Sequence, residues 1–158
     1  MKILSLTDKE TFSDDFILIA IYSDEDDYRM AFLLNQFLNL RLEKSTAIIT
    51  PKEQAEYSIF EYEDKTLLQL WQLLHNHSFI KKEVTPTFDL FSETIDVYEK
   101  KVCYIKQLKK VRFLLKVIAD EKEAYYNDIV KKIKKIPQVY TAEILPLAQI
   151  KNSELLLF

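Results

Sequence analysis

The chain has 158 residues, 48% of them apolar, a formal net charge of −3 and no glycine at all. That length and apolar content suit one folded domain with an ample core, and they set intrinsic disorder aside. The missing glycine excludes the GxGxxG dinucleotide loop, the Walker A loop, the GxSxG nucleophile elbow and the GXXG nucleic-acid clamp, each of which needs positive φ or close backbone approach to a ligand.

The first 13 residues read as a mobile lead-in, and their charges (Lys2, Asp8, Lys9, Glu10) leave no room for a signal-peptide core. Phe16 to Tyr22 is an unbroken, β-branched apolar run, which predicts a strand covered on both faces. It is the longest apolar run in the chain and far short of the roughly 20 residues that span a bilayer. Ser23 is the expected cap of a helix running to about Asn39, with Met30, Ala31, Leu34, Phe37 and Leu38 as its buried stripe. Arg41 to Ile49 is ambiguous, with a short edge strand as one reading. Tyr57–Tyr62 and Leu67–Leu74 flank a polar turn and predict a hairpin, a helix being the rival for the second run. Residues 76–99 read as loop-rich. Phe113–Ala119 is a strand. Asp120, with Glu123 three residues on, is the expected cap of a second helix with Tyr126, Ile129, Val130 and Ile133 inward. Pro137 ends that helix, and Val139–Ile144 is a final strand.

Strand, helix, hairpin, strand, helix, strand is the split βαβ order of a ferredoxin-like fold. The expected architecture is therefore a single α+β domain over residues 1–158, an antiparallel sheet with two helices on one face. Its turns must rely on Asn, Asp, Ser and Pro.

Four blocks carry a resemblance: Asp27–Asn35, Phe60–Asp64, Ile136–Ile144 and Leu155–Phe158. In that order they resemble the bacterial family of small uncharacterised proteins named for the pattern IPExxxVDY, over about Phe16 to Phe158. Ile136 and Pro137 match the naming motif, whereas Gln138, Ala142, Glu143 and Ile144 stand for its Glu, Val, Asp and Tyr. The resemblance implies a bacterial, cytoplasmic protein and carries over no activity, cofactor or site residue. The single cysteine, Cys103, agrees with a reduced compartment.

Charge is unevenly placed. Residues 1–99 hold 19 acids and 9 bases, and residues 100–158 hold 13 bases and 6 acids. From Lys100 to Lys116 there are seven bases and no acid. Lys106, Lys109, Lys110 and Arg112 are candidate contacts for nucleic acid or a small anion, although the pI near 5.5 argues against a nucleic-acid footprint. The competing reading is a solvated face. Tyr28, Arg29 and Asn35 on the first helix are candidate partner contacts; Arg29 also suits an i, i+4 pair with Glu25. Phe158 is expected to dock on the core or on a partner subunit. His75 and His77 offer two imidazoles but no third metal ligand. Cys103 has lysines that favour a thiolate, against the simpler role of a small buried residue. Asp24–Asp27 is explained by helix capping. No nucleophile–base set, metal set or cofactor loop is recognisable. The expected function is a non-enzymatic module that binds another protein or its own copy. Binding of an anion through residues 100–116 is the alternative, and an enzyme whose site is assembled from distant positions is the third class.

Overall fold

The computed structural model describes residues 16–83 and 97–158. The lead-in at 1–13 and residues 84–96 lie outside the described residues.

The first apolar run is strand β1, Phe16–Ser23. Alternation sends Ile19 and Ile21 to one face and Leu18 and Ala20 to the other, and all four are fully buried. Helix α1, Asp27–Leu38, follows. Its cap is Asp26, whose Oδ1 accepts from the Arg29 N–H at 3.2 Å. The expected cap, Ser23, instead donates to the Gln138 carbonyl at 2.7 Å, which ties β1 to the last strand. Met30, Ala31, Leu33 and Leu34 are buried, while Phe37, expected in that stripe, is exposed. Asn39 ends the helix at φ 56°, where its short polar side chain takes the place usually given to glycine.

Strands β2 (Glu43–Ile49), β3 (Glu56–Asp64) and β4 (Gln69–His75) come next. The ambiguous stretch is thus a strand, and it lies on the sheet edge. Glu43, Lys44 and a register shift between Lys44 and Thr46 blunt that edge. The run from Leu67 is a strand, not a helix, but it begins at Gln69. Leu67 and Leu68 belong to the turn, with Leu68 at φ 55°. A Leu in that left-handed region costs about 1 kcal/mol.

The loop expected at 76–99 is corrected in part. His77–Glu83 is strand β5 and pairs with β6, Val97–Cys103, as a separate two-stranded ribbon. A ribbon buries little, so its sequence lacks the apolar alternation by which a strand is recognised.

Strand β7 (Phe113–Ile118), helix α2 (Glu123–Lys134) and strand β8 (Val139–Leu145) complete the order. Lys122, not Asp120, occupies the N-cap position of α2, and it makes no side-chain capping bond. The large sheet runs β2–β3–β4–β7–β1–β8, every neighbouring pair antiparallel. Both helices pack on one face, over Ile19, Trp71, Leu73, Phe113 and Leu115. Two irregular segments cover the other face: residues 104–111 contribute Ile105 and Val111, and the C-terminal stretch contributes Ile150 and Leu156. The protein is therefore one α+β domain with an antiparallel sheet and two helices. Among the described residues no helix is long and apolar enough to cross a membrane.

Candidate functional site

The covering segment 104–112 is held by Asn76, which is 0% exposed at the junction of β4 and β5. Its Nδ2 donates to the carbonyls of Leu108 (3.0 Å) and Val111 (2.9 Å), and its Oδ1 accepts from the Ile105 N–H at 2.8 Å. Its main chain bonds Arg112 and Tyr104. His77 adds a sixth anchor point, with Nε2 donating to the Lys109 carbonyl at 2.8 Å. Buried amides of this kind are retained because every group they satisfy would otherwise be an orphan.

On that frame a groove of about 480 Å³ opens between β6 and the loop, on the side of the sheet away from the helices. Lys100, Lys101, Lys106 and Lys109 line it, with Glu53 and Cys103. Lys106 Nζ is 3.8 Å from Glu53 Oε1. The Cys103 thiol is pushed up by burial, against the pull of Lys101 and Lys109, so it stays protonated at neutral pH. That supports the small-residue role over the thiolate.

The basic run is divided by the fold. Lys106 and Lys109 reach the groove, and Lys110 lies exposed outside its lining. The Arg112 guanidinium lies over the Phe113 ring at 5.9 Å, and its Nε is buried without a hydrogen-bond partner. Lys116 is only 5% exposed and cannot serve a surface. Its Nζ donates to the carbonyls of Leu156 (2.7 Å) and Phe158 (3.3 Å) and sits 5.0 Å from the Phe158 ring centroid. Phe158 thus packs on the domain's own core.

The first-helix candidates do not join the groove. Tyr28 meets Phe60 edge-on at 5.3 Å, and Arg29 lies over Phe32 at 5.7 Å. Asn35 exchanges two hydrogen bonds with the main chain of Leu42, 2.8 and 3.1 Å, and so clamps the connection to β2. The His75 and His77 ring centroids are 6.4 Å apart. His75 stacks on Phe113 at 4.9 Å, and burial, assisted by Arg112, lowers its pKa to about 4. Among the described residues no group of three His, Cys, Asp or Glu is placed to hold a metal ion.

Sequence reasoning missed Asn76, Glu53 and the burial of Lys116. Asn76 opens a stretch that reads as loop and so gives no signal of this role, and its partners are about 30 residues away. In comparisons with family models, with curated proteins and with solved structures, nothing matches this chain.

Proposed function

We propose that the protein acts by binding and that the lysine groove takes a phosphorylated anion. The observation that carries this reading is the convergence of Lys100, Lys101, Lys106 and Lys109 on one groove of about 480 Å³. Ammonium groups bind phosphate as point charges, and a groove of that volume suits a small ligand. The frame built by Asn76 and His77 preorganises the loop lysines, which lowers the ordering cost of binding. A nucleic-acid strand presents the same phosphates, so the test carries both probes. Tripolyphosphate and a mixed-sequence RNA oligonucleotide are titrated calorimetrically at low and raised salt. Tripolyphosphate should bind, more weakly as salt rises, and a Lys101→Gln/Lys106→Gln/Lys109→Gln variant should lose at least about tenfold in affinity, the equivalent of ~1.4 kcal/mol. Tighter binding of RNA moves the assignment to nucleic acid. Failure of both probes at low salt overturns the reading.

Association with a protein partner or a second copy is the second reading. It is favoured by α1, where Tyr28 is 61% and Phe32 54% exposed on neighbouring turns. Sedimentation at low and high salt tests self-association; monomer mass at both sets that form aside.

The ancestry suggested by the four blocks is also proposed. Asp27–Asn35 coincides with the start of α1, Phe60–Asp64 with the end of β3 and Ile136–Ile144 with the turn into β8. The central order β4–β7–β1–β8, with both helices on one face, supports a ferredoxin-like core into which the hairpins β2–β3 and β5–β6 are inserted. A solved structure of a family member with another strand order would remove this support.

A further inference from the structure

On the helix-covered face, a second cavity of about 200 Å³ lies where the end of α1, the β3–β4 turn and one side of α2 from Tyr125 to Lys132 meet. Three aromatic rings line it from three elements: Tyr62 on β3, its register partner Trp71 on β4, and Tyr125 on α2. The rings are held in place. The buried Gln69 accepts from Trp71 Nε1 at 3.2 Å and donates to Tyr125 Oη at 3.2 Å, and Tyr62 Oη donates to Asp64 at 3.4 Å. Two carboxylates, Asp64 and Asp128, share the lining with one base, Lys132, which sits 3.4 Å from Asp128.

Aromatic faces with carboxylates beside them attract cations, and most strongly those that shed water easily. A quaternary methylammonium is such a cation: it has no N–H to satisfy, and its charge is spread over methyl groups that fit against rings. A bare divalent ion would need more oxygen ligands than these two side chains supply. A phosphate would meet two carboxylates and a single base. From this combination we infer that the cavity binds the quaternary ammonium head of a small molecule, on the opposite face of the sheet from the lysine groove and independently of it.

Trp71 is the only tryptophan in the chain, so its emission reports the cavity directly. The full-length protein is titrated with tetramethylammonium and with choline. The neutral isostere 3,3-dimethylbutan-1-ol and sodium chloride serve as controls. Both cations should give a saturable change in emission. The alcohol should bind about tenfold more weakly, as ~1.4 kcal/mol of cation–π attraction requires. Lys132→Gln should tighten choline binding severalfold because it releases Asp128, and Asp128→Asn should weaken it severalfold. Both positions are exposed, so these variants keep the fold, which a melting curve checks. Equal binding of choline and the alcohol overturns the inference, as does the absence of a saturable response to either cation, or affinities unmoved by both substitutions.

Discussion

Lys116 shows how far a single residue's role depends on its surroundings. It lies on a strand buried on both faces, so its ammonium is carried under the C-terminal stretch, between the Phe16 and Phe158 rings at 4.8 and 5.0 Å. Burial pushes its pKa down to about 8 from 10.5, with Glu61 pulling weakly the other way. The folded value is below the unfolded one, so the unfolded chain binds the proton more tightly between about pH 8 and 10.5. Stability should therefore rise with pH across that window. Lys116→Met removes the titration. Urea unfolding at pH 8 and pH 10 should show wild type gaining about 2–3 kcal/mol relative to the variant. Parallel behaviour of the two chains would mean that the ammonium is solvated in the folded protein.

At the scale of elements, the groove depends on a loop that forms no sheet or α-helix of its own. Segment 104–112 has one short 3-10 turn, Lys106–Leu108, and is otherwise irregular. Its order comes from Asn76 below and from the C-terminal stretch beside it, where Tyr104 Oη donates to the Leu155 carbonyl at 3.1 Å and the Lys151 N–H donates to Gln107 Oε1 at 3.1 Å. Asn76→Ala leaves the carbonyls of Leu108 and Val111 and the N–H of Ile105 without their side-chain partner. The expected loss is about 3 kcal/mol of stability, measured by denaturant unfolding, together with weaker anion binding. A variant as stable as wild type would show that water replaces the amide.

For the whole molecule, the sheet has two differently built covers. Helices protect one face with ordinary amphipathic packing, and irregular chain protects the other. Leu156 is buried, Phe158 packs on the same cluster, and the carbonyl oxygens of both accept hydrogen bonds from Lys116 Nζ. Removing residues 155–158 should lower the melting temperature by several degrees, since burial of Leu156 alone stabilises by about 2 kcal/mol and a domain of this size shifts a few degrees per kcal/mol. An unchanged melt would show that the stretch contributes nothing to the core.

The amino-acid sequence by itself determined the elements whose stabilisation is local or repetitive. Phe16–Tyr22 is apolar without interruption, Phe113–Ala119 is apolar but for Lys116, and Tyr126, Ile129 and Ile133 recur at helical spacing, so these were legible with no partner in view. The α+β class and the two helices followed from their order. Tertiary structure alone decided what depends on distant partners. It turned Asn76 into the anchor of the groove, moved Lys116 from a basic surface into the core, made a ribbon of His77–Glu83 and Val97–Cys103, and gathered Tyr62, Trp71 and Tyr125 around one cavity. Periodicity records which face of an element is buried; it carries no record of which residue stands opposite, and sites are made by that opposition.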